Sequence, residues 1–154
     1  MPEITVDTLV GPLTLTEADG AITHVNWRSG ANDDTPLLRR AVAQIDEYFA
    51  GQRTVFDLPL RVEGSEFQQA VCDAMLAISY GDTCTYGDIA KALGAPAQAI
   101  GQACGGNPIP VIIPCHRVLG ATSLGGFSGG GRNGAGIETK VQLLRHEGAA
   151  GLLI

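Results

Sequence analysis

Cys115 stands between Pro114 and His116, at the end of the apolar run Val111-Ile112-Ile113. A cysteine attacks as its thiolate, so chemistry here needs a neighbour that lowers the thiol pKa or removes its proton. Pro114 keeps the stretch out of a helix interior. On an extended chain, adjacent side chains point to opposite faces. A direct pairing of Cys115 with His116 is therefore awkward, and a water or a backbone kink has to mediate it. Cys72, Cys84 and Cys104 read by default as buried packing thiols. Taken alone, Tyr86 reads as a core tyrosine near a helix start, and Asn107 as a turn residue before Pro108. Glu147 reads alone as a solvated carboxylate at a helix end, and His146 as a surface histidine.

The elements that must carry these residues are legible. Ile4–Val10, Leu13–Thr16 and Ile22–Trp27 are β-rich runs, with a turn expected at Gly11-Pro12 and a hairpin at Asp19-Gly20. Ser29 to Asp34 is loop-like. Thr35 caps a helix with Pro36 at its first position, and apolar residues recur at helical spacing to about Ala50. Phe56–Leu60 is a short extended piece. Gly64-Ser65 marks a boundary, dividing the chain into 1–64 and 65–154. Ser65 caps a helix presenting Phe67, Val71, Met75 and Ile78. A short helix, Tyr86 to Leu93, ends at Gly94, and a second runs from Ala97 to Cys104, ended by Gly105-Gly106. Helix, tight turn and helix of this length read as a helix-turn-helix. The second helix is small-sided. Such a helix either packs closely on a neighbour or lets its backbone approach DNA. The fold class is α+β: a small antiparallel sheet with a covering helix, then a mostly helical winged helix-turn-helix.

The stretch Asn107-Pro108 through Pro114-Cys115-His116-Arg117-Val118 resembles the active-site signature of the O6-alkylguanine-DNA alkyltransferases, also called methylated-DNA–protein-cysteine methyltransferases. Phe67-Gln68-Gln69, Tyr80-Gly81-Asp82-Thr83 and Thr85–Ala90 resemble that family's helical segments. Gly125–Gly130 and Leu143–Gly148 resemble its wing and last helix, so the resemblance covers roughly residues 65 to 149. It implies that Cys115 is the alkyl acceptor and that His116 and Glu147 form a relay reaching the thiol through a water. It further implies that Asn107 braces the turn before the active-site strand, and that Tyr86 donates to guanine N3, making O6 a better leaving group. Val118 and Cys115 carbonyls and the Ser128 amide would read the flipped base, with Cys104, Gly126 and Phe127 lining its pocket. Ala97, Gln98, Ala99, Gly101 and Gln102, with Arg117, would meet DNA through the minor groove. Gln98 falls where the family carries an arginine that fills the gap left by the flipped nucleotide, and Gly105 where a second basic residue is common. A glutamine brings no charge to the phosphates, so single-stranded or mismatched substrate gains relative to duplex.

Composition sets bounds. No apolar run approaches a membrane span and no signal-like N-terminus is present, which predicts a cytoplasmic chain. The cysteines show no metal-ligand spacing and only His24 stands in the first half as a candidate ligand, so neither metal nor cofactor is expected. The net charge of −6 is unlike the basic footprint of a duplex binder. Residues 1–65 hold five Lys/Arg against ten Asp/Glu, and residues 66–154 hold five against six. The acidic bias thus sits where DNA need not touch, and nonspecific affinity should be weak and fade with salt. The glycine-rich stretch 129–136, with Arg132, lacks the strand–loop–helix context of a phosphate loop and reads as a flap. The expectation is a monomer acting once on DNA containing O6-alkylguanine. A transferase or damage binder for single strands, RNA or free bases, a Cys-His-Glu hydrolase and a winged-helix binding module are the alternatives.

Overall fold

The computed structural model describes residues 1–121 and 135–149. Strands β1 (Glu3–Thr8), β2 (Gly11–Ala18) and β3 (Ala21–Asn26) form one antiparallel sheet in the order β1-β2-β3. Asp19 and Gly20 both take positive φ, 50° and 78°, as the tight β2–β3 hairpin demands. The β1–β2 turn is not at Gly11-Pro12. It is at Leu9-Val10, and Pro12 pairs with Asp7 inside the ladder. Pro12 is tolerated there because pairing with β3 starts only at Thr14, so no β3 carbonyl waits for its missing N–H.

Helix α1 (Pro36–Phe49) covers the sheet, burying Leu38, Ala41, Ile45 and Tyr48. Its first turn is satisfied by the Thr35 hydroxyl, which accepts from Leu38 N at 3.0 Å. Such a cap contributes about 1 kcal/mol. The extended piece after α1 joins the sheet side: Ile22 N donates to Pro59 O and Arg61 N to Ile22 O. Ser65 caps α2 (Glu66–Leu76), which stops before Ile78.

The next elements position the site. Strand β4 (Cys84–Thr85) runs directly into α3 (Tyr86–Leu93). Thr85 and Asp88 form a reciprocal capping box, which fixes Tyr86 as the first helical residue. Gly94 takes φ 66° and ends α3, a conformation costly for a side chain. Helix α4 (Ala97–Gly105) follows after a three-residue turn, Gly94 to Pro96, completing the helix-turn-helix. Strand β5 (Val118–Leu119) pairs in parallel with β4, bringing the segment after Cys115 beside Tyr86. Helix α5 (Ala135–His146) closes the described chain. The expected wing at 125–130 lies outside the described residues. Buried side chains of the sheet, of all five helices and of the 109–118 segment form one contiguous core. A main-chain bond from Val25 N to Pro108 O, 2.9 Å, ties the sheet to the reactive segment.

Candidate active site

The segment between α4 and β5 is not the extended strand that Pro114 and the apolar run suggest. Val111 takes φ 73°, a left-handed value that a β-branched residue adopts only under constraint. Asn107 supplies the constraint. Its Nδ2 donates to Ile113 O at 2.8 Å, and its Oδ1 accepts from Ile109 N at 3.0 Å. Ile113 N also donates to Ile109 O, 2.8 Å. The chain thus doubles back and enters a single 3₁₀ turn, Cys115–Arg117. That turn is the backbone kink the chemistry requires. It buries His116 completely and leaves Cys115 only 6% exposed.

His116 and Arg117 converge on Glu147, just past the end of α5. His116 Nε2 lies 2.8 Å from Glu147 Oε2, Arg117 Nε 2.8 Å from Oε1 and Arg117 Nη2 3.0 Å from Oε2. A fourth donor comes from α1: Tyr48 Oη lies 2.5 Å from Glu147 Oε2. Burial alone would raise the Glu147 pKa. The bonds from His116, Arg117 and Tyr48 outweigh it and hold the carboxyl down at about 2. An ionised carboxylate only accepts, so His116 Nε2 carries the proton and Nδ1 of the neutral ring keeps its lone pair. Burial lowers the His116 pKa despite the Glu147 charge, so the ring is neutral at neutral pH. Its Nδ1 is buried and has no protein partner among the described residues. A buried imidazole with a free lone pair and an anchored N–H is a base held in one tautomer.

The thiol is almost wholly withdrawn from solvent. Burial pushes the Cys115 pKa up to about 11, opposed by the Asn107 side-chain hydrogen bond and by Lys140. Cys115 therefore rests as a thiol at neutral pH and needs a base when it reacts. Cys104, on α4, is likewise buried, and desolvation with the neighbouring Cys115 pushes it to about 12. Lys140 of α5 is fully buried, its Nζ donating to Val118 O at 2.6 Å and standing 5.7 Å from the Tyr86 ring centroid. Desolvation lowers the Lys140 pKa to about 8, although Cys115 and Cys104 pull it up. Tyr86 is half-buried, and burial first, then both thiols, raises its hydroxyl pKa.

The structure therefore brings Cys115, His116, Glu147, Asn107, Tyr86, Cys104 and Val118 to one place. Two assignments change. Arg117, expected at the DNA face, is 7% exposed and committed to Glu147, with Nη1 donating to Ile78 O at 2.6 Å. Its charge neutralises a buried carboxylate and is not available to phosphates. His146 is not a free surface histidine: its Nε2 bonds Tyr48 O at 2.7 Å and its ring packs on Tyr48 and Phe49. On α4, Ala97, Gln98 and Gln102 are exposed, while Ala99 and Gly101 are half-buried. A Cβ built at Gly101 or Gly105 meets nothing within 4 Å, so close packing on a neighbour does not explain these glycines. Gly126, Phe127, Ser128 and Arg132 lie outside the described residues. Sequence reasoning missed Lys140 and Tyr48 as members of the site. The one available signal for Lys140 was a lysine seven residues before Glu147, on the same face of α5 as Leu143 and Leu144. Among the described residues no group of three or more His, Cys, Asp or Glu is placed to hold a metal ion, and no helix is long and apolar enough to cross a membrane.

The site thus joins a helix-turn-helix to a buried cysteine with a histidine–carboxylate pair behind it. The family model for the 6-O-methylguanine DNA methyltransferase DNA binding domain matches residues 66–149. The model for the same family's ribonuclease-like domain matches residues 1–62. The chain belongs to the 6-O-methylguanine DNA methyltransferase family. It is 43% identical over 137 residues to the methylated-DNA–protein-cysteine methyltransferase of Mycobacterium tuberculosis, spanning 82% of this chain and 83% of that one. The crystal structure of Mycobacterium tuberculosis O6-methylguanine methyltransferase superposes with a TM-score of 0.82 at 40% identity, covering 95% of this chain and 92% of that one. A second structure, Mycobacterium tuberculosis OGT in complex with DNA, gives 0.80 at 40% identity with the same coverage.

Proposed function

We propose that this chain is a methylated-DNA–protein-cysteine methyltransferase that repairs DNA once per molecule, with Cys115 as the permanent alkyl acceptor. The carrying observation is the buried thiol backed by an imidazole whose tautomer is fixed by Glu147. Cys115 Sγ attacks the alkyl carbon of O6-alkylguanine, the S–C bond forms and the C–O6 bond breaks. The bonding pair leaves on O6. The thiol proton passes to His116 Nδ1 through a water. Tyr86 gives its proton to guanine N3 and regains one from the relay, so the products are S-alkylcysteine and neutral guanine. Lys140 adds positive charge beside the developing thiolate. The Val118 carbonyl already accepts from Lys140 but keeps a second lone pair for the base edge.

The flipped guanine is delivered by the exposed face of α4. Its small residues suit the narrow minor groove, where a bulky helix would not seat. The whole cluster comes from one chain, so a monomer suffices. Residues 1–64 and 65–154 act as the two units, the first holding the second's relay from behind. Four free thiols fit a reducing, cytoplasmic setting. The test is a titration of the protein with duplex DNA carrying O6-methylguanine. Repaired base saturates at one per protein molecule, and Cys115→Ala repairs none. Continued turnover on excess substrate would favour a hydrolase-like or catalytic enzyme instead.

A further inference from the structure

The chemistry above uses the carboxylate of Glu147 only through His116, yet Oε2 accepts a short bond from Tyr48, ninety-nine residues away in sequence. We infer that Tyr48 is a positioning residue of the transfer reaction: its hydroxyl sets how strongly Glu147 holds and polarises His116, and the N-terminal sheet-and-helix unit thereby takes part in activating Cys115.

Three observations carry this. First, Tyr48 Oη and His116 Nε2 bond the same carboxylate oxygen, at 2.5 and 2.8 Å. Donors sharing one oxygen divide its negative charge, so each weakens the other's hold. Second, Tyr48 is itself held on several sides. It is fully buried, its main-chain oxygen is bonded to His146 Nε2 at 2.7 Å, and its ring packs against Phe49, Phe56, Tyr80 and His146. A hydroxyl locked this firmly delivers its bond at one geometry. Third, residues 146 and 147 grip the two ends of the same tyrosine, one by the backbone and one by the hydroxyl. The end of α5 is thus fixed by α1, and Glu147 with it.

The groups facing the pair come from every surrounding element. Arg117 lies beside both, from the 3₁₀ turn. Tyr80 follows α2 and faces Glu147, while Lys140 of α5 acts on His116 at longer range. None of these changes when the Tyr48 hydroxyl is removed. Its loss concentrates negative charge on Oε2, which favours the protonated form of His116. The pH at which the base is lost then rises.

The inference rests on the alkyl-transfer reading, and its test separates the two. Single-turnover transfer from an O6-methylguanine duplex is followed from about pH 5 to pH 9 for wild type and Tyr48→Phe. Phenylalanine fills the same space without the hydroxyl. In Tyr48→Phe the acid limb of the rate profile moves to higher pH by roughly half a unit to one unit, as expected when a carboxylate loses one charge-assisted hydrogen bond. In a Glu147→Gln background the same substitution shifts nothing further. A Tyr48→Phe protein that is folded, transfers, and keeps the wild-type acid limb overturns the positioning role while leaving the alkyl-transfer reading intact. Absence of transfer in the wild type overturns that reading itself. If Tyr48→Phe is unstable, the ring-nitrogen shifts of His116 in NMR titration of wild type and of Tyr48→Met give the same comparison. An unchanged His116 titration there also counts against the role.

Discussion

Replacing Glu147 by glutamine removes the charge on which the buried cluster closes. In the native protein the carboxyl is held at about 2, against an ordinary value of 4.5. At about 1.4 kcal/mol per pH unit, that difference makes Glu147 ionisation worth about 3 kcal/mol of folding stability. Breaking a buried ion pair by deleting one partner costs ~3–5 kcal/mol, because the remaining charge stays buried. Here that charge is Arg117, whose Nε and Nη2 both point at Glu147. The two routes agree on a loss of about 3 kcal/mol for Glu147→Gln at pH 7. The pH dependence has a definite sign. A depressed carboxyl contributes its stability fully above the unfolded value near 4.5 and loses it as pH falls through about 2. The gap between wild type and variant therefore narrows on acidification. Urea unfolding of both proteins at pH 7 and at about pH 3 measures it. A gap below about 1 kcal/mol at pH 7, or one of equal size at both pH values, would refute the cluster's assigned energetics.

Two further substitutions probe the segment and the DNA face. Asn107→Ala deletes the bonds to Ile113 O and Ile109 N and leaves the positive φ of Val111 unbraced. We expect about 2 kcal/mol of destabilisation, and a Cys115 thiol pKa above its native value, read by the pH dependence of iodoacetamide labelling. Gln98 is exposed on α4, so Gln98→Arg adds a cation without disturbing the core. It should steepen the salt dependence of duplex binding by about one phosphate contact and speed repair in duplex more than in single strands. An unchanged duplex-to-single-strand ratio would remove Gln98 from the base-flipping step.

Much of this architecture is readable from local residue chemistry. Thr35 before Pro36 and Ser65 before Glu66 mark two helix starts, and the structure uses each as a cap. Asp19-Gly20 and Gly94 mark backbone turns for which φ above zero is needed. The errors arise where a distant partner decides. Gly11-Pro12 resembles a turn, but β1 ends at Thr8, the chain turns at Leu9-Val10, and the register pulls Pro12 into the ladder opposite Asp7. Pro114 and its apolar run read as extended, but Asn107 folds the segment back through Val111. Arg117 looks like a phosphate ligand in any basic motif, and only the arrival of Glu147 from α5 shows where its charge goes. Tyr48 falls on the apolar stripe of α1 at helical spacing, so its ring was legible and the destination of its hydroxyl was not. Lys140 is hidden for the same reason: its acceptor, Val118 O, belongs to another element.

The central claim is that Cys115 takes the alkyl group and keeps it. Intact-mass spectrometry after incubation with an O6-methylguanine duplex, followed by peptide mapping, tests this directly. The account predicts a gain of one methyl per molecule, located on Cys115 and absent from Cys72, Cys84 and Cys104. An unchanged mass with repaired DNA, or a methyl on Cys104, would contradict it.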